Sequence, residues 1–156
     1  MRQILRQHEL GRDPWRYPGE AGSGPQLLTL AQLLAAAPLL PAGVGVYMEP
    51  SDDVRQLAGV IDKMALIVVH FEKNGDGRGF SQAQVLRQQL RYAGELRACG
   101  ALKRDHLYLL ARCGFDAFDL DPSEDRGAAL AQLQRFSVAY QGSSGTLVQP
   151  RLRTQA

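Results

Sequence analysis

An arginine set among glycines and acids, Asp76-Gly77-Arg78-Gly79, with a serine close behind at Ser81, carries the most explicit chemistry in this sequence. A guanidinium is a planar fork of donors that matches carboxylate, phosphate, sulfate and sulfite oxygens. Glycines 75, 77 and 79 let the backbone reach positive φ and let a ligand approach closely. The residues after Ser81 read as a helix start, where free N–H groups favour an anion. A second arginine beside an acid follows at Arg104-Asp105. The expectation is an oxyanion site in which Arg78 and Arg104 clamp the ligand over the helix start at Ser81, with Asp76 orienting one guanidinium. A structural alternative uses the same residues: Asp76 and Arg78 pair with Arg104 and Asp105 and lock two loops. Arg97 completes the candidate anion-binding set, although its strand position points it toward an acidic neighbour such as Glu95 or Asp116.

Other chemistries fail on a missing part. Residues 72–77 look like the front of a calcium loop, but its twelfth position is Ala83 where a bidentate glutamate is needed, and residues 66–71 read as a strand where a helix is required. Gly77-Arg78-Gly79-Phe80-Ser81-Gln82 has glutamine at the third glycine of the dinucleotide fingerprint, and the chain has no GK[ST] phosphate loop. His8, His70 and His106 show no ligand spacing with cysteine or carboxylate, so no metal site is expected. Haem or an iron–sulfur cluster would need ligands the chain lacks. Cys99 and Cys113 form no CxxC pair and read as buried, reduced thiols. No cofactor is expected, so redox chemistry here would borrow one from a partner.

The elements that must position these residues are written in period and punctuation. Residues 65–71 form an apolar, β-branched run; a glycine-rich loop and a capping box at Ser81 and Gln84, stapled by Phe80 and Val85, make it strand, loop, helix. That helix runs to about Tyr92 and Gly94 ends it. Upstream, Thr29 opens a helix stopped by Pro38, and residues 44–48 are a strand. After Ser51-Asp52-Asp53, the stripe Val54, Leu57, Ala58, Ile61 and Met64 predicts an amphipathic helix. Downstream come a strand over 95–100, a helix through Leu102, Leu109, Leu110 and Cys113 that ends at Gly114, and a strand over 115–120. A last helix runs from the capping box Asp121-Pro122-Ser123-Glu124 to about Phe136.

About four parallel strands alternating with helices predict an α/β fold with an open or half-barrel-like sheet, since a full eight-fold barrel needs roughly 250 residues. Ligands in such a sheet sit beyond the carboxyl ends of the strands, here at residues 49–53, 72–81, 100–105 and 119–123. Residues 1–26, with a short strand at 1–5, read as an N-terminal arm outside the core, 27–141 as one domain, and 142–156 as a flexible tail. A short parallel sheet has open edges, so a homodimer covering one is expected.

At 156 residues the chain has the length of one domain, able to bury roughly 70% of its unfolded surface. Its net charge of +2, with 22% charged residues well mixed in sign, makes no basic stripe for nucleic acid. The longest uncharged stretch is broken by Pro38 and Pro41 and the N-terminus is charged, so no membrane segment or signal is expected and the chain reads as soluble and cytoplasmic.

Four strings identify a likeness: Asp76-Gly77-Arg78-Gly79-Phe80-Ser81-Gln82-Ala83, Gly94-Glu95-Leu96-Arg97-Ala98, Arg104-Asp105, and Arg112-Cys113-Gly114-Phe115-Asp116-Ala117-Phe118. Over residues 43–141, including Tyr140-Gln141, the chain resembles the bacterial family domain of unknown function 934, for which a role as an oxidoreductase in sulfite reduction is proposed. The family's proline-lysine-aromatic run is replaced here by Glu72-Lys73-Asn74-Gly75, and Ala101 and His106 also depart from its pattern. The resemblance implies two functions. One is an accessory protein of assimilatory sulfite reduction, partnered with a reductase component; the other is a small enzyme acting on a sulfur oxyanion or phosphorylated substrate.

Overall fold

A computed structural model of the chain describes residues 2–6, 8–73 and 76–141, the last six of these as backbone. Strands β1 (Gln3–Arg6) and β2 (Leu10–Arg12) form an antiparallel pair. Strand β3 (Leu28–Thr29) runs into helix α1 (Leu30–Ala36), which carries a full capping box between Thr29 and Gln32 and passes into a 3-10 turn at Ala37–Leu39. Strand β4 (Val44–Met48) is followed by 3-10 turns at Val54–Leu57 and Ile61–Lys63, then by the long strand β5 (Met64–Phe71). Helix α2 (Gly77–Gln84) continues as a π turn over Val85–Gln89. Strand β6 (Glu95–Gly100), helix α3 (Leu107–Arg112), strand β7 (Ala117–Asp119) and helix α4 (Arg126–Gln141) complete the order.

One open, mostly parallel sheet contains all these strands, in the order β2-β1-β7-β6-β5-β4-β3. The four alternating strands expected from the sequence are β4 to β7, each parallel to the next. β3 adds a fifth parallel strand beside β4, and β1 lies antiparallel against β7. Because the parallel strands step in one direction across the sheet, crossovers of one hand place their helices on one face.

Alternation along the strands separates two cores. Ile67, Val69 and Phe71 of β5, with Val46, Met48, Leu96, Ala98 and Phe118, pack against Leu33, Ala83, Leu107, Leu110, Ala129 and Leu133 from the four helices. The opposite face presents Tyr47, Leu66, Val68 and Cys99, covered by Leu27, Trp15 and Tyr17. The N-terminal residues read as an arm outside the core therefore belong to it: Ile4 and Leu5 are fully buried in β1, and Trp15 and Tyr17 lie across the sheet. Their apolar residues alternate with charges and prolines, which hides the strand period in the sequence.

Three boundaries differ from expectation. The helix expected to begin at Ser81 begins at Gly77, with Asp76 as N-cap accepting from the Arg78 amide at 3.0 Å, so Ser81 lies inside the helix. The reason is packing: a Cβ on Gly79 would stand 2.4 Å from the Phe71 ring, so the glycine serves close helix–strand contact and not positive φ. Arg91, at φ 57, takes the left-handed position after the π turn in place of Gly94.

The amphipathic helix expected after Asp53 resolves into two 3-10 turns, and its buried stripe is Val54, Leu57 and Val60 with Ala58 exposed. That three-residue period is the 3-10 period. Helix α4 starts at Arg126, with Asp125 accepting from the Ala128 amide at 3.1 Å; the expected capping residue Asp121 instead turns back onto Ser123. The expected tail, 142–156, lies outside the described residues, as does Gly75.

A candidate site at the strand ends

The residues expected to form an anion clamp occupy separate places. The Arg78 guanidinium is held by Asp76, at 2.9 Å, and by Glu72, at 3.4 Å. These contacts hold the Asp76 carboxyl below its usual range, first through the Arg78 side-chain hydrogen bonds. Arg104 pairs with Glu124 at 3.4 Å, Asp105 is exposed, and neither contacts the Asp76–Arg78 pair among the described hydrogen bonds and ion pairs. The structural alternative of Arg78 and Asp76 locked to Asp105 and Arg104 is likewise replaced by these nearer partners.

Arg97 lies on the other face of the sheet, 1% exposed, donating to Asp13 at 3.0 Å and to Glu95 at 3.2 Å. Glu95 is one of its two expected partners. The other, Asp116, accepts from the Leu96 amide and from Arg87.

A different set of polar side chains does meet. Tyr47 near the end of β4, His70 of β5, Cys99 of β6 and Asp119 of β7 come from four consecutive parallel strands, and His70, Cys99 and Asp119 are direct register partners. Parallel alternation puts all four on the face away from the helices, at the carboxyl ends of the strands. They line a cavity of about 420 Å³ whose wall is completed by Arg2, Tyr17, Gly100, Leu120, Pro122 and Arg126.

Within it, Tyr47 Oη lies 2.8 Å from His70 Nδ1, and the Cys99 Sγ lies 3.7 Å from Tyr47 Oη and 3.8 Å from His70 Nδ1. Burial pushes the Cys99 thiol up to about 12 and raises the Tyr47 hydroxyl as well. Cys99 is buried and Cys113, at the C-terminal end of α3, is only half-buried; both are free thiols.

The N-terminal segment closes the other side. Tyr17 donates its hydroxyl to Asp119 at 2.9 Å, and Arg2 Nε approaches the same carboxylate at 3.3 Å while its guanidinium sits 3.7 Å over the Tyr17 ring. Arg2 also reaches Asp13, Glu20 and the Trp15 carbonyl. Burial raises the Asp119 carboxyl, against the lowering effect of Tyr17 and Arg2.

Arg126 is held differently. It donates to two main-chain carbonyls, Leu120 at 3.0 Å and Glu124 at 3.2 Å, and no carboxylate lies within ion-pair distance of it among the described residues. The cavity wall thus carries a cation whose hydrogen-bonding partners are neutral, beside an imidazole whose Nε2 has no partner among the described residues. A guanidinium so placed can hold a small anion. Among the described residues no group of three His, Cys, Asp or Glu is placed to bind a metal ion, and no helix is long and apolar enough to cross a membrane.

His70 and Cys99 escape a search for short-range ligand spacing because parallel strands bring together residues far apart in the chain. The signal that could have found them is polar residues at alternating, core-facing positions near the ends of successive strands.

Comparison with curated proteins finds no match. A family model described as bacterial protein of unknown function matches residues 45–149, which include Tyr47, His70, Cys99, Asp119 and Arg126 and leave out Arg2 and Tyr17. With the match spanning more than half its length, the chain belongs to that family, domain of unknown function 934.

Proposed function

We propose that the protein binds a small oxyanion in the strand-end cavity and serves assimilatory sulfite reduction in the cytoplasm as an accessory of a reductase. The observation that carries the anion reading is Arg126 on the cavity wall, its guanidinium resting on carbonyls while Arg78 and Arg104 already have carboxylate partners. The sulfur assignment comes from the resemblance that the motif strings carry. The Asp76–Arg78 loop remains the comparison site.

Sulfite, sulfate or phosphate at a hundredfold excess over Kd should raise the melting temperature by about 5–10 °C. Arg126→Gln should weaken binding by roughly ten- to hundredfold, the worth of a charged hydrogen bond, while Arg78→Ala leaves it unchanged. Loss in Arg78→Ala alone would move the site to the helix start. Affinity isolation from native cells should recover a sulfite reductase component, and the purified protein should be colourless. A homodimer across the β3 edge, where Leu34 and Leu39 are exposed nearby, belongs to the same proposal and is read by light scattering. The His70–Tyr47 pair favours a second reading, a small enzyme acting on a sulfur oxyanion or phosphorylated substrate. Steady sulfite-dependent turnover without added reductase would select it.

A further inference from the structure

We propose that Tyr47 and Cys99 hold His70 with its proton on Nε2, so that the imidazole is a pre-set donor to one oxygen of a small anion in the strand-end cavity; this rests on the anion-binding reading above. The argument is a proton inventory. Cys99 is buried among Leu27, Leu66 and Val68, and among the described residues its thiol finds hydrogen-bonding partners in Tyr47 Oη, at 3.7 Å, and His70 Nδ1, at 3.8 Å. Of the two, Tyr47 Oη is the nearer, and the thiol proton is assigned to it.

A phenol has one proton, and with the thiol donating to its oxygen, that proton goes to His70 Nδ1 at 2.8 Å. Nδ1 is then an acceptor, and a neutral imidazole with Nδ1 as acceptor carries its proton on Nε2. The reverse arrangement would have Nδ1–H donate to Tyr47 and leave the phenol proton for sulfur, a weak acceptor. Burial keeps the thiol protonated through neutral pH, so it retains a proton to donate. Nε2, without a partner among the described residues, is left for the ligand, and Arg126, which also lines the cavity, supplies the charge.

The test reads the ring directly. Long-range nitrogen–proton spectra of His70, recorded above the imidazole titration range with inorganic sulfite, sulfate or phosphate added, should show Nε2 protonated and Nδ1 bare, with Nε2 moving on anion binding. Tyr47→Phe should give mixed tautomers and bind sulfite about tenfold more weakly. His70→Gln, whose amide nitrogen falls near the Nε2 position, should stay within about threefold of wild type, and His70→Ala should lose about tenfold. A wild-type proton on Nδ1 overturns the inference even where sulfite still raises the melting temperature. An unmoved Nε2 beside such a rise also overturns it, because the anion then sits elsewhere. No rise with any of the three anions defeats the anion reading itself, and the donor role with it.

Discussion

Cys99 and Cys113 are both thiols, yet their surroundings set different chemistry. Burial raises the Cys99 pKa to about 12, so the thiol stabilises the fold below the ordinary thiol range and that contribution is lost as pH rises through about 12. The half-buried Tyr17 and Tyr47 hydroxyls, also raised, act in the same direction. Unfolding free energy from urea titrations should therefore fall above about pH 9, and Cys99→Ala should flatten part of that limb. An equally steep limb in the variant would assign it to the tyrosines. In the native protein a thiol reagent near neutral pH should modify Cys113 well before Cys99, as peptide mapping of partly labelled protein would show.

Residue types in the sequence pointed to arginine–anion chemistry, and the cavity does present Arg126; what the sequence concealed was which arginines form ion pairs, since Arg126 feels Asp119 and Asp121 only at longer range among the described residues. Asp76 and Glu72 precede Arg78 closely in the chain, and their ion pairs were the cheaper outcome for an exposed loop.

Elements of regular period were the most legible. β4 and β5 stand where their apolar, β-branched runs place them, β6 spans the expected 95–100, and α1 carries the cap that Thr29 suggests. Elements decided by contact were less so. Gly45 shows why: a Cβ there would lie 2.6 Å from Leu27 and 2.9 Å from Trp15, a constraint from the N-terminal segment that no local pattern expresses. Gly45→Ala should destabilise the protein by about 1–3 kcal/mol through overpacking, measured by urea denaturation. Tryptophan fluorescence should shift as well, since the chain's one Trp is the displaced neighbour.

Gln82 offers a second test at this scale. Its amide nitrogen, from within α2, donates to the Glu49 carbonyl at 2.9 Å and to the Asp52 carbonyl at 3.0 Å, and so ties the helix to the loop after β4. Gln82→Leu removes both bonds, leaving the Glu49 carbonyl paired with the Asp52 amide and the Asp52 carbonyl without this donor, and should cost about 0.5–1.5 kcal/mol, whereas exposed Gln84→Leu should change little.

Across the whole molecule, the site depends on both ends of the described chain. Arg2 and Tyr17 grip Asp119, and Leu5 pairs with Phe118 across the β1–β7 register. A protein lacking residues 1–26 should bare the apolar sheet face and bind a hydrophobic dye such as ANS in a state with retained secondary structure.

The β1–β7 pairing also orders events in time. The first strand has one of its two partners made nearly last, so during synthesis the β1–β2 pair waits while β3 to β6 emerge and pair with sequence neighbours. Closing so long a loop is entropically costly until those neighbours are in place, and contacts of such separation form slowly. In stopped-flow refolding, Leu5→Ala should mainly speed unfolding and leave the folding rate almost unchanged, as expected of a residue that docks after the transition state, whereas Val69→Ala at the centre of β5 should slow folding.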